Sequence, residues 1–190
     1  TADEIVTKYA ATMGGLDAMN KVASYKITGT MTSQGMDLPI TTQVLNGKAV
    51  RNEVDVMGQS VILVYNNGTG WTINPFNGAT EATDLTGPPL NDLKGQAFLA
   101  TNLADYQNRG HKIELQGQED VEGVKCFKVK LTPKDEGNIT IYYINVADYT
   151  LIKSSAHREI QGQDVEAETY YADLKEFSGI KFFMTRIQKM

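Results

Sequence analysis

Few side chains in this sequence could support catalysis, and they are scattered along the chain. The 190 residues include two histidines, His111 and His157, and one cysteine, Cys126. A zinc site or a nucleophilic triad needs histidine, cysteine or carboxylate groups that converge from suitable positions. Neither histidine has such a partner at ligand spacing. The sequence therefore predicts a protein that is not an enzyme, with no catalytic residue, no metal site and no cofactor.

Two other features could do chemistry, although each has a simpler interpretation. Cys126 shares one face of a predicted strand with Lys128 and Lys130, and a neighbouring lysine could lower its pKa, but a cysteine without a nearby histidine is usually unreactive. Glu166 and Glu168 share one face of a predicted strand, like the acid pair of a glycosidase, but they also fit the solvent-facing side of that strand. A hydrolase is one rival interpretation, and it requires a histidine to meet a carboxylate inside a pocket.

The composition is typical of a folded, secreted-type protein. Hydrophobic residues make up 41% of the chain and charged residues 22%, which excludes a globally disordered chain. The formal net charge of -5 argues against nucleic acid or an anionic membrane surface as the main partner. The chain starts Thr1-Ala2-Asp3 without a methionine, as it would after removal of a signal peptide or after trimming. We expect a monomer with a single domain over residues 1–190.

Three segments have helical periodicity. The first begins near Asp3, a good capping residue, and ends at Gly14-Gly15. The second covers about residues 16–22. The third follows Gly87-Pro88-Pro89 and covers about residues 90–103.

Most of the remaining chain alternates apolar and polar residues, as in strands with one dry and one wet face. Asn46-Gly47 and Asn67-Gly68 are hairpin turn signals. The alternation predicts ten or eleven strands in meander order, at about residues 24–32, 38–44, 50–56, 61–65, 71–73, 112–121, 124–132, 138–145, 151–160, 164–175 and 181–189. We expect a mainly β (α+β) fold in which a single curved antiparallel sheet forms an incomplete barrel of about eleven strands. The N-terminal and central helices would form a lid over its concave apolar face.

A sheet of this size leaves more apolar surface than three short helices can cover with side chains. We therefore expect an apolar cavity between the sheet and the helices, which is where a hydrophobic ligand would bind. The alternating apolar positions predicted to line this cavity are Ile27, Met31, Ile40, Val44, Val54, Val56, Leu63, Trp71 and Ile73 in the strands and Leu93, Phe98 and Leu99 in the lid.

Several motifs, in the same order along nearly the whole chain, resemble those of one protein family. They are ADEIV at 2–6, MGGL at 13–16, VASYKITGT at 22–30, GWTINP at 70–75, GQEDVEGVKCFKVKLTPK at 117–134 and YADLKEFSGIKF at 171–182. On these motifs the sequence resembles the outer-membrane lipoprotein-sorting proteins of Gram-negative bacteria, the LolA/LolB-like superfamily of periplasmic lipoprotein carriers and receptors.

The resemblance implies an unclosed eleven-stranded barrel with a helical lid over a hydrophobic cavity, and a carrier that shields lipoprotein acyl chains in the periplasm. In the carrier of this family, an arginine on an early strand helps to hold the lid shut. Arg51 is the only arginine in the early strands of this sequence.

Together, the pattern and the resemblance predict a protein of the periplasm, free or attached to the outer membrane, that binds lipid or the acyl chains of lipoproteins. Its further partner would be a membrane-bound donor or receptor protein, and nucleic acid would not be a partner. The alternative function is an envelope regulatory or sensory module of the same fold that binds another protein.

Overall fold

The computed structural model describes residues 1–135, 137–160 and 163–189, and among these the side chains of all residues except 79, 80, 157–160 and 163–165. The helices are α1 (Ala2–Thr12), α2 (Leu16–Lys21) and α3 (Gly87–Gln96), with a 3-10 turn at Pro75–Asn77. The strands are β1 (Ser24–Ser33), β2 (Met36–Leu45), β3 (Ala49–Val56), β4 (Gln59–Asn66), β5 (Thr69–Asn74), β6 (Ala79–Asp84), β7 (Lys112–Val121), β8 (Val124–Thr132), β9 (Thr140–Asn145), β10 (Leu151–Ile160), β11 (Gln163–Phe177) and β12 (Ile180–Lys189).

The strands form two antiparallel meanders rather than the predicted single sheet of about eleven strands. Sheet 1 has the order β1 to β6, and sheet 2 has the order β12 to β7. The strand missing from the prediction is β6, whose sequence ATEATD is polar and lacks an alternating apolar face. The chain divides into two compact units, Asn20–Leu99 and Thr1–Met19 with Ala100–Met190. The single domain over residues 1–190 stays a prediction.

Two-residue turns determine which side chains share a face in each sheet. Gln34-Gly35 and Met57-Gly58 have positive φ at both positions, 50° and 77° in the first turn and 54° and 79° in the second. These values are typical of the type I′ turn, whose twist matches that of the two strands it joins. Because only two residues connect the strands, the turn fixes which residues pair across the hairpin. It therefore also fixes which side chains lie on the exposed face and which on the buried face.

In the unit that contains sheet 2, α1 is attached at both ends. Near its start, the Tyr106 hydroxyl donates a hydrogen bond to the Asp3 carboxylate. Just beyond its end, the Lys181 N–H donates to the Met13 carbonyl oxygen at 3.0 Å. Between these points the helix buries Ile5, Val6, Tyr9 and Ala10. A hinged movement of α1 as a lid would break hydrogen bonds at both ends of the helix.

The stability of this unit should fall in alkaline solution because of Tyr9. Burial raises the pKa of Tyr9 to about 12, whereas a tyrosine in an unfolded chain titrates near pH 10. The folded state therefore holds its proton more tightly, so the stabilisation is complete below about pH 10 and is lost as the pH rises towards about 12. Urea unfolding at pH 9 and pH 11.5 should show that Tyr9→Phe loses about 2 kcal/mol less stability over this interval than the native chain. Equal losses in the two proteins would contradict this prediction.

In the other unit, α3 packs on sheet 1 and begins and ends earlier than predicted. It starts at Gly87, with Pro88 and Pro89 in its first turn, and it ends at Gln96 rather than near residue 103. The turn between β2 and β3 forms hydrogen bonds with the chain that follows the helix. The Gly47 N–H donates to the Ala97 carbonyl oxygen at 2.8 Å, and the Leu99 N–H donates to Asn46 Oδ1 at 2.9 Å.

Asn46 also donates from Nδ2 to the Val22 carbonyl oxygen at 2.8 Å, so one side chain connects three segments of this unit. Asn46→Ala should lower the free energy of unfolding by about 2–3 kcal/mol, because it removes two hydrogen bonds and leaves two backbone groups without their partner. Asn67→Ala, in the exposed Asn-Gly turn between β4 and β5, is the control and should cost about 1 kcal/mol for its positive φ. Urea denaturation measures both, and a smaller loss for Asn46→Ala than for the control would refute the connecting role.

Among the described residues, no helix is long and apolar enough to cross a membrane.

Candidate functional site

The register of sheet 1 gathers a set of apolar side chains on the side that α3 packs against. Met31 lies opposite Leu38 on the neighbouring strand, and Ile40 lies opposite Val54. Directly paired residues point to the same face of a sheet. We call the following set the apolar face: Ile27, Met31, Leu38, Ile40, Val54, Val56, Val61 and Leu63.

Charge is completely segregated between the two sides of strands β1 to β4. The strands contain five charged residues, and the register places all of them on the side opposite to the apolar face: Lys26, Asp37, Arg51, Glu53 and Asp55. Hydrocarbon can therefore lie along the apolar face without removing an ionised group of these strands from water, which would cost several kcal/mol per ion.

Helix α3 covers only one end of this side of the sheet. There, Val44, Val50 and Tyr65 form a buried cluster with Leu93 and Ala97 of the helix region. Val44 is only 2% exposed, whereas Ile27 and Met31 on the apolar face are 40% and 41% exposed. Leu38 is itself buried, at 8% exposure, and the other five side chains of the apolar face are half-buried, so its exposed part is the pair Ile27 and Met31. Neighbouring exposed apolar side chains of this kind indicate an interaction site.

The structure brings together most of the residues predicted to line the cavity. Ile27, Met31, Ile40, Val54, Val56 and Leu63 belong to the apolar face, and Val44 continues it under α3. Leu93 lies in the adjoining buried cluster, and Phe98 packs against it. Leu99 follows the helix in the chain and is half-buried, and its N–H donates a hydrogen bond to Asn46 Oδ1. Whether these side chains bind a ligand stays a prediction.

Trp71 and Ile73 do not join this set, because they point to the opposite side of the sheet. Trp71 lies opposite Val64 and Ile73 opposite Ile62, while Leu63 of the apolar face lies opposite Thr72. Sequence reasoning missed Leu38 and Val61. Leu38 could have been found from the hairpin, since two-residue pairing across Gln34-Gly35 places it beside Met31.

Exposed apolar residues also occupy one end of sheet 1. In a meander, alternate turns lie at the same end, so the turns after β1, β3 and β5 are neighbours. Met36 follows the first of these turns, Met57 lies within the second and is 82% exposed, and Phe76 lies within the third and is 52% exposed. We call these three residues the hairpin rim. The turns that carry them, at residues 34–35, 57–58 and 75–78, contain no charged residue.

A groove of about 570 Å³ lies on the charged side of sheet 1 and is lined in part by Lys26, Gln43, Leu45, Arg51 and Val64. Its two cations make it a poor site for hydrocarbon. Arg51 pairs with Glu53, with 2.5 Å between Nη1 and Oε2. Because it points away from α3, Arg51 does not have the lid-holding position that the family resemblance implied for an early-strand arginine.

The residues considered for catalysis in the sequence, His111, Cys126 and Glu168, are held in hydrogen bonds or buried, and none has the environment of a catalytic group. His111 Nδ1 accepts a hydrogen bond from the Lys134 N–H at 3.1 Å, and the His157 side chain lies outside the described residues. Burial raises the pKa of the Cys126 thiol, so desolvation outweighs the effect expected of a neighbouring lysine. The hydrogen bond from Lys153 to Glu168, at 2.7 Å, lowers the pKa of that carboxyl group, opposite to what a general acid needs. Within the described part of the chain, no three potential ligands converge on a metal position.

Solved structures share this architecture. A LolA superfamily protein from Nitrosomonas europaea superposes with a TM-score of 0.61 at 12% identity, over 100% of this chain and 85% of its own. This chain has the same fold as that protein. A domain from Vibrio parahaemolyticus assigned to the outer membrane lipoprotein-sorting proteins has the same fold, with a TM-score of 0.57 at 12% identity over 99% of this chain and 86% of its own. No protein-family model matches the sequence, and no curated protein matches it.

Proposed function

We propose that this chain is a binding and carrier protein for lipid or lipoprotein acyl chains, and that it works in the periplasm, free or attached to the outer membrane. The observation that carries the proposal is the apolar face, which consists of eight apolar side chains on four strands and contains no charged residue. The LolA fold supports it. Each methylene group moved from water onto such a surface contributes about 0.8 kcal/mol, so binding needs no catalytic step and no cofactor.

The hairpin rim supports a second element of this proposal, a membrane-contacting end. A carrier must receive its cargo from a membrane-bound donor or deliver it to a membrane-bound receptor. Met57 and Phe76 are large apolar side chains on uncharged turns, and such side chains can enter the boundary between lipid headgroups and acyl chains. They lie at the end of the sheet that carries the apolar face, so cargo leaving the face has a short path into the lipid.

The test is organic extraction and mass spectrometry of the protein purified without denaturation from a Gram-negative periplasm, beside a sample that was denatured and refolded. We expect stoichiometric phospholipid, fatty acid or acylated peptide in the native sample alone. We also expect the refolded protein to take up a fluorescent fatty acid saturably. An empty native extract together with no saturable uptake would refute the carrier function.

The groove on the charged side supports a second candidate function, a regulatory module of the cell envelope that binds another protein. Lys26 and Arg51 line this groove with Leu45, which is 55% exposed, and mixed cationic and apolar surfaces of this kind are typical of protein interfaces. An empty lipid extract would favour this candidate, and so would loss of partner binding in Leu45→Lys while lipid uptake is unchanged.

A further inference from the structure

Sheet 1 ends in one strand that has no protection against pairing with another strand. β1 is ten residues long, pairs with β2 without a bulge, contains no proline and has a single charge, Lys26. Nine of its ten residues are exposed. Natural proteins usually protect such an edge with charges, bulges, proline or a short strand.

The other three sheet edges have such protection. β6, at the far edge of sheet 1, has only six residues, two of which are acidic. β7 has a register irregularity between Leu115 and Gln118 and carries several charges. β12 carries three cations, Lys181, Arg186 and Lys189, which would repel a second copy of the same strand. The contrast identifies β1 as the edge suited to pairing.

The hairpin turn shows which backbone groups of β1 are available. Across a two-residue turn, the flanking residues exchange hydrogen bonds, so Ser33 bonds to Met36 and every second residue before it also bonds to β2. The N–H and C=O groups of the even-numbered residues, Lys26, Thr28, Thr30 and Thr32, therefore point outward.

We propose that two copies of this chain pair through β1 in an antiparallel, two-fold symmetric arrangement centred on Gly29. In this register Thr28 bonds to Thr30 of the second copy and Lys26 bonds to Thr32 of the second copy, which uses the outward groups of these four residues in about eight hydrogen bonds. Ile27 then lies beside Met31 of the second copy twice, once on each side of the axis.

The apolar and charged side chains both favour this register. A shift by two residues in either direction would place Ile27 opposite Gly29 or Ser33 instead of Met31, and the exposed Ile27 would lose its apolar partner. In the proposed register no two like charges lie opposite each other. Lys26 extends towards the strand that carries Asp37 of the second copy, because Asp37 lies beside Thr32.

The pairing joins two sheets of six strands into one of twelve, with the two apolar faces on the same side. The contact is limited to one strand per copy, so we expect a weak dimer that forms with rising concentration. The monomer predicted from the sequence would then be the species in dilute solution. The inference does not depend on lipid binding. The pairing is determined by the outward backbone groups of β1 and by the side chains of Lys26, Ile27, Met31 and Asp37.

Cysteine cross-linking tests the register directly. Gly29→Cys places a thiol at the two-fold axis, and the added Cβ would meet only the Ile40 side chain, at an ordinary 3.7 Å. Thr32→Cys, on the same exposed strand, is the matched control. In the proposed register Thr32 lies opposite Lys26 of the second copy, so the two Thr32 residues are far apart. We expect Gly29→Cys to form disulfide dimers at least about ten times faster under mild oxidation. The native Cys126 is buried and contributes no background. Equal rates for the two variants would overturn the proposal.

Sedimentation equilibrium over a concentration series gives an independent measurement. The native chain should show a monomer–dimer equilibrium. Thr30→Pro should abolish it, since this substitution removes an outward N–H while leaving the bonds between β1 and β2 intact. Ile139→Lys, which removes an apolar side chain that is 45% exposed and lies outside sheet 1, should leave the equilibrium unchanged. A native chain that stays monomeric at every concentration would overturn the proposal, whatever the lipid extraction shows.

Discussion

Replacing Ile40 with glutamate should weaken binding of a fluorescent fatty acid by about 100-fold. Ile40 lies near the middle of the apolar face, between Gly29 on β1 and Val54 on β3. An acyl chain on this face would remove the new carboxylate from water without giving it a partner. The cost of burying such a group is about 3 kcal/mol after partial compensation, which corresponds to about 100-fold in the dissociation constant.

The matched control for this variant is Thr41→Glu. Thr41 is the next residue on the same strand, and the register places it on the charged side, opposite Glu53 and Thr28. Both variants add the same charge to the same strand, so any effect on solubility or on strand propensity is shared. Titration with the fatty acid should give a nearly native affinity for Thr41→Glu, and urea unfolding establishes that both variants are folded. Similar losses of affinity in the two variants would mean that the apolar face is not the binding surface.

Alternation predicted the ligand face well in the first four strands because short turns preserve it. Ile27, Ile40 and Val54 lie on one side because β1 to β4 keep a regular register, with two-residue turns after β1 and β3. The segment at residues 61–65 is apolar on both sides, so alternation alone does not show which of its residues share the face of Val54. The assignment of the following strand failed at this point, and Trp71 was placed on the wrong side.

The division into two sheets and the true end of α3 could not be predicted, because both depend on contacts between distant segments. Strand β6 has a polar sequence and exists through its pairing with β5, where Thr72 lies opposite Thr83. α3 ends at Gln96 because Asn46, far away in sequence, binds the chain that follows it. Local periodicity carries no information about either contact.

The motifs behind the family resemblance encode turns more than chemistry, which explains how they indicated the fold at so low an identity. Glu122-Gly123 and Ser178-Gly179 both have positive φ at both positions, with values of 52° and 84° in the first turn and 51° and 80° in the second. Each therefore fixes a tight hairpin in sheet 2. Turn residues of this kind specify a meander without specifying what it binds, so the ligand is a matter for experiment.

Among glycine-to-alanine substitutions in this chain, Gly14→Ala should lower the free energy of unfolding the most. Gly14 has φ of +115°, which L-residues rarely adopt, and an added Cβ would lie 2.5 Å from the Gly179 carbonyl oxygen and 2.9 Å from the Ile180 Cα. Both neighbours are backbone atoms of the turn between β11 and β12, so no side-chain rotation relieves the clash. We expect Gly14→Ala to lower the free energy of unfolding by about 3 kcal/mol or more.

Gly15 provides the control, because it also has a positive φ, +86°, but nothing lies within 4 Å of an added Cβ. Gly15→Ala should therefore cost only about 1 kcal/mol, for its backbone conformation. Amide hydrogen exchange adds a local measurement. The Lys181 N–H that binds the Met13 carbonyl oxygen should exchange faster in Gly14→Ala than in Gly15→Ala, because the clash separates the end of α1 from the turn that holds it. Equal losses of stability and equal exchange at Lys181 would show that α1 is not fixed to sheet 2 at this point.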